Sequence, residues 1–180
     1  MEYPWYEVIS KKSEKNNDLT LEQGDIFLKY PVLIPKVTPQ DIEKLHKKQD
    51  VTIETDVNIL DIIVMSQSCD LGQNNVNEVI LCSWTPIDMH ALSKNQKNQI
   101  KEISKGKKHN QHLLKDETEL KHPFGIVDFT KIYTTPKSGL TLVAEALDTR
   151  VRLLPPYREH LSQAFARYFM RVGLPVPTGI

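Results

Sequence analysis

The stretch Ile59-Leu60-Asp61-Ile62-Ile63-Val64-Met65-Ser66-Gln67-Ser68-Cys69-Asp70-Leu71 decides the fold. Its first seven residues are apolar and largely β-branched, interrupted only by Asp61. Such a run, without polar alternation, reads as a central strand buried on both faces of a sheet. Upstream, Val51-Thr52-Ile53-Glu54-Thr55-Asp56-Val57 alternates apolar and polar, as a half-buried strand does. Downstream, Gly72-Gln73-Asn74-Asn75-Val76-Asn77 supplies a turn, and Glu78-Val79-Ile80-Leu81-Cys82-Ser83-Trp84 supplies the neighbouring strand.

Further strands are expected on both sides. Gly24-Asp25 is a turn signal before Ile26–Tyr30, and Pro31 and Pro35 bracket Val32-Leu33-Ile34 as an edge or bent strand. Phe124–Phe129 and Lys131–Thr134 read as two strands with Asp128 near the break, and Val151-Arg152-Leu153-Leu154 as a last short one. Thr38-Pro39-Gln40-Asp41 opens a short helix to about Lys48, or else a charged loop. Thr85-Pro86-Ile87-Asp88 repeats that signature, predicting a helix from Ile87 to about Lys105 that stops at Gly106. Residues 106–122 read as a charged, histidine-bearing connection, and Ser138–Leu147 as a short helix. The sum is an α+β fold: a small, mostly antiparallel β-barrel or strongly bent sheet with two or three helices.

The last of those helices is amphipathic. Pro155-Pro156 precedes it, Tyr157–Val172 form it, and Gly173 and Pro175 end it. Leu161, Ala164, Phe165, Tyr168, Phe169 and Val172 recur at three- and four-residue spacing and form a core face. The opposite flank carries Glu159, Gln163, Arg167 and Arg171, with His160 at its edge. All five arginines of the chain (Arg150, Arg152, Arg158, Arg167 and Arg171) lie in this segment, against 18 lysines spread elsewhere. A guanidinium is a flat fork with five donors, so the segment calls for paired hydrogen bonds rather than charge alone. Arg152, Arg158, His160, Arg167 and Arg171 are therefore candidate ligand-binding residues. Structural ion pairs, and for Arg171 the helix dipole, account for the same pattern without a ligand.

Residues 1–20 read as an aromatic anchor, Tyr3-Pro4-Trp5-Tyr6, followed by a polar linker; residues 21–180 read as one domain. Twenty-three basic and 23 acidic residues cancel, so no global field points to a polyanionic partner. No apolar run is long enough to span a membrane, and the N-terminus lacks the pattern of a signal peptide. Two cysteines make no disulfide framework, so a cytoplasmic protein with reduced thiols is expected. No cofactor is expected, and the oligomeric state is open.

Ser66-Gln67-Ser68-Cys69-Asp70 sets a polar cluster at the end of the most buried strand, where a rigid element positions side chains. Three readings compete. Cys69 is a catalytic nucleophile with Asp70 or Ser66 assisting and His90, His112, His122 or His160 as base. Alternatively, Cys69 joins a metal site with His109 and His112, although the spacing lacks the tight Cys/His pattern of zinc sites. In the third reading Cys69 is a small packing residue while Ser66, Ser68 and Asp70 tie off a turn.

Two resemblances arise from these motifs. Gln23-Gly24-Asp25-Ile26-Phe27, Ser66-Gln67-Ser68-Cys69-Asp70-Leu71, Val127-Asp128-Phe129 and the run from Pro156 through Tyr157-Arg158-Glu159-His160 to Phe169 together resemble a family of uncharacterised bacterial proteins, which implies no particular activity. Gly24-Asp25-Ile26 and Ile62–Ser66 also resemble the PemK/MazF-type toxin barrel. That likeness implies a small barrel and ribonuclease chemistry, for which the family uses an arginine before the apolar strand. Here that stretch is Val57-Asn58-Ile59-Leu60-Asp61, with no arginine. The expectation is thus a non-catalytic module that engages nucleic acid or a protein partner, in a toxin–antitoxin or phage-defence system. The alternatives are an enzyme, either a diverged ribonuclease or a Cys69 hydrolase, and a structural subunit of a complex.

Overall fold

The computed structural model describes residues 3–11, 20–73, 76–118, 120 and 122–170. Seven strands form one sheet: β1 (Tyr6–Ser10), β2 (Asp25–Lys36), β3 (Glu54–Val64), β4 (Glu78–Ile87), β5 (Gln111–Leu114), β6 (Phe124–Pro136) and β7 (Thr149–Leu153). Their order is β1-β7-β2-β3-β4-β6-β5, and every pairing is antiparallel. Five helices accompany them among the described residues, more than the two or three expected: α1 (Pro39–His46), α2 (Ser68–Gly72), α3 (Lys94–Ser104), α4 (Lys137–Ala146) and α5 (Tyr157–Phe169). No helix among the described residues is long and apolar enough to cross a membrane.

From Ile62 onward the apolar run of β3 is buried on both faces, but Ile59, expected to be buried with it, is exposed because it lies on the part of β3 that pairs with β2 alone. Ile63 and Met65 join a cluster with Tyr6, Ile26, Cys82, Phe129 and Leu161 of α5. Ile62 and Val64 join a second cluster with Phe27, Leu81, Leu71 of α2, and Leu140 and Ala144 of α4. Burying each large side chain stabilises the fold by roughly 1.5–3 kcal/mol. On α5 the core face is shorter than its spacing implies. Leu161 is fully buried, Ala164, Phe165 and Tyr168 pack partly, and Phe169 is half exposed against the rings of Phe165 and Tyr168. Val172 and Arg171 lie outside the described residues.

The sheet is open: β1 and β5 are its edges, and among the described residues no ladder joins them into a barrel. It is nevertheless strongly curved. At about 4.8 Å per strand, the outermost strands of a flat seven-stranded sheet lie about 29 Å apart. Yet the Tyr6 hydroxyl in β1 donates to the Lys115 carbonyl, one residue past β5, at 2.7 Å.

Several elements differ from expectation for local reasons. The predicted helix at Ile87 starts only at Lys94, capped by Ser93 with Gln96 in a reciprocal box. Thr85, Pro86 and Ile87 instead continue β4 against β6, where β3 is no longer alongside and the proline has no donor to lose. The two strands expected around Asp128 are one, β6, with a register shift opposite Cys82 and Ser83. Asp128 Oδ1 accepts from the Thr130 amide at 3.0 Å and stabilises that irregularity. Asp61 behaves likewise. It accepts from the Lys29 amide at 2.8 Å, where β2 bulges and Lys29 adopts a φ of 54°. Beyond this bulge β2 and β3 pair only with each other, forming an arm that carries α1 between its strands. The stretches 51–57 and 59–65, expected as separate strands, are largely this one continuous β3.

Candidate functional site

Three polar regions surround α5, and the first explains most of the arginines. Gly24 has a φ of 88°, which glycine tolerates at no steric cost, and a Cβ there would stand 3.0 Å from that of Leu153. The Gly24 carbonyl accepts from the Leu153 amide at 3.0 Å, bringing β2 against β7. This delivers Asp25, fully buried, between two buried guanidiniums. Arg152 Nε donates to Asp25 Oδ1 at 2.6 Å and Nη2 to Oδ2 at 3.2 Å, the paired geometry a guanidinium is built for. Arg150 Nε donates to Oδ2 at 3.0 Å, and both arginines also donate to the Thr20 carbonyl. Arg152 Nη1 reaches Glu22 at 2.9 Å, and Arg158 Nη1 reaches the other oxygen of Glu22 at 2.8 Å. Burial opposes the charge of Arg152, but its hydrogen bonds to Asp25 and the attraction of Asp25, Glu22 and Glu7 outweigh it and raise its pKa. Arg152 and Arg158, candidate ligand-binding residues by sequence, are thus engaged with carboxylates of the same chain.

The second region holds Cys69, in the five-residue α2. Cys69 is exposed, with Sγ 3.8 Å from Asp70 Oδ1. The depression around it is lined by Gln67, Ser68, Arg158, Glu159, Ser162 and neighbouring glutamines, and no histidine is among the lining residues. Ser66 is buried, its hydroxyl accepting from the Ile80 amide at 2.9 Å. Ser68 accepts from the Gln23 amide at 3.1 Å and so ties α2 to the Asp25 junction. These serines fasten the turn after β3. No group of three or more His, Cys, Asp or Glu residues able to hold a metal occurs among the described residues.

The third region is a cleft of about 460 Å³ between α5, the end of α3 and β5. Trp5, ahead of β1, stacks on Tyr157 at the start of α5, with centroids 3.6 Å apart and planes 9° from parallel. Both rings line the cleft. Successive turns of α5 add His160, Gln163 and Arg167 to the same wall, as their three- and four-residue spacing dictates. His112 of β5 and Lys115 lie opposite. Among the described residues, every charged group lining the cleft is basic and none is a carboxylate. Arg167 is exposed, and no ion pair with it occurs among the described residues. Burial, then the charges of His160 and Arg167, push the His112 pKa down to about 4. At neutral pH His112 is therefore uncharged, with one N–H and one lone pair to offer.

The cleft thus unites His160 and Arg167, which the sequence marked, with His112, which it offered only as a partner for Cys69. Trp5 and Tyr157 escaped sequence reasoning as site residues. Their signal was faint: an aromatic cluster at one end of the chain, and a tyrosine at the first position of an arginine-bearing helix. No protein-family model and no curated protein matches this chain.

Proposed function

We propose that this protein is a non-catalytic binding module that takes nucleic acid into the cleft beside α5. The observation that carries the reading is the lining itself: an aromatic pair and only basic charges, in a chain whose total charge is zero. Phosphates seek the fixed cation of Arg167, and bases seek ring faces. With the PemK/MazF-like pattern of Gly24-Asp25-Ile26 and Ile62–Ser66, we assign the module to a toxin–antitoxin or phage-defence setting.

Fluorescence anisotropy with labelled RNA and DNA tests this. Two phosphate contacts on a single strand would weaken binding roughly sevenfold between about 50 and 200 mM salt. Arg167→Ala is expected to weaken it several-fold. Absence of binding to either polymer at low salt refutes the proposal. A second reading, engagement of a protein partner, draws on the β2–β3 arm, where the cross-strand pair Leu33 and Val57 and their neighbour Ile59 are each more than half exposed. A Val57→Ser variant that loses a partner while retaining nucleic acid would favour it.

A further inference from the structure

We infer that the cleft selects single-stranded over duplex nucleic acid, by stacking one unpaired base on the Trp5–Tyr157 pair while Arg167 holds an adjacent phosphate. This rests on the nucleic-acid reading above and gives its substrate class. In a duplex the base faces are covered by their neighbours and only edges reach the grooves. A ring wall inside a concave site can contact a base face only when that base is unpaired.

A cleft of about 460 Å³ suits a single nucleotide, which lies at the small end of ligand-pocket volumes. Duplex binding draws on many phosphate contacts, whereas among the described residues the cleft lining presents one exposed guanidinium, with His160 and Lys115 nearby. Arg150, Arg152 and Arg158, which could have widened a basic surface, are engaged with Asp25 and Glu22. With so few cations in the lining itself, stacking supplies much of the affinity. Base–aromatic stacking tolerates any sequence, and His112 and Gln163 supply neutral donors and acceptors that can read a base edge.

The test uses the intact protein and its own fluorescence. Trp84, the only other tryptophan, is buried in β4, so quenching on ligand addition reports Trp5. Ten-residue oligouridylate and oligothymidylate, a blunt duplex of mixed sequence and inorganic polyphosphate are titrated at one salt concentration. Both single strands are expected to quench Trp5 and to bind at least tenfold tighter than the duplex. Trp5→Ala is expected to lower single-strand affinity about five- to 150-fold. Trp5→Phe, which keeps a ring should the alanine variant unfold, should retain most of it. Equal binding of duplex and single strand overturns the inference but leaves the nucleic-acid reading intact. Polyphosphate binding as tightly as oligouridylate, or an affinity unmoved in Trp5→Ala, shows that charge alone acts and overturns it too. Failure of every nucleic acid to bind removes both.

Discussion

Asp25 joins two buried arginines at the β2–β7 junction, and replacing it with asparagine tests how much that junction stabilises the fold. The carboxylate accepts from Arg150, from Arg152 twice and from the Glu22 amide, with no exposure to water. The substitution keeps its size and one acceptor but removes the charge. Two guanidiniums, whose side chains are only 2% and 5% exposed, then lose their shared counter-charge. Breaking a buried ion pair from one side costs about 3–5 kcal/mol, because the remaining charge stays desolvated. Glu22 still serves Arg152 from a partly exposed position, which argues against more than this. For a chain of this length the loss corresponds to a fall in melting temperature of roughly 6–20 °C. Urea and thermal unfolding followed by circular dichroism at neutral pH would measure it. Asp56→Asn, which removes a solvent-exposed pair with Lys36, is the control and should cost about 1 kcal/mol or less. If Asp25→Asn changes stability by no more than that control, the junction does not hold the fold together and the reasoning is refuted.

Gly125 lies under Trp84, and a Cβ there would come within 1.9 Å of the indole nitrogen, so Gly125→Ala should destabilise by about 1–3 kcal/mol in urea unfolding. Cys69 should react with a thiol reagent in the folded protein while Cys82, fully buried and pushed up to about 12 mainly by burial, reacts only on unfolding; equal slow labelling of both would contradict their placement. Burial lowers the pKa of both His112 and His122 to about 4, against an ordinary 6.5. The unfolded chain then binds more protons between those values. Unfolding free energy should therefore fall as pH drops from about 6.5 to 4, by up to about 1.4 kcal/mol per pH unit for each imidazole. The acid limb should flatten in His122→Phe, and an unchanged slope would count against the shift.

The sheet was legible wherever a strand carries its own reason for burial. Ile62, Ile63 and Val64 announce a central strand because neither face can meet water. Val79, Leu81 and Cys82 do the same for its neighbour. Misreadings arose where one residue served two purposes. Asp61 and Asp128 look like interruptions, yet each closes a bulge by accepting a backbone amide. Thr85-Pro86 looks like a helix start, and only the pairing with Gly125 and Ile126 makes it a strand. Short β5 and α2 are too brief to establish a period. At α5, helical spacing was enough to put His160 and Arg167 on one flank. Their companions were beyond reach, since Trp5 meets Tyr157 across 152 residues and nothing local links them. The arginine bias signalled a need for fork geometry, but only the folded chain shows that Asp25 and Glu22 meet most of it.

Separation along the chain also sets a clock. Asp25 precedes Arg150 by 125 residues, and at about 5–20 residues per second the ribosome needs roughly 6–25 s to pass from one to the other. Throughout that interval the start of β2 has no β7 beside it, and a carboxylate destined for the interior remains in water. The nascent sheet can assemble β2, β3, β4 and β6 while it waits, since these pair without β7. The two prolines on the arm, Pro31 and Pro35, discourage a neighbouring nascent chain from pairing there meanwhile. The junction is thus completed only after β2, β3, β4 and β6 have been made, when two arginines arrive for a charge made long before.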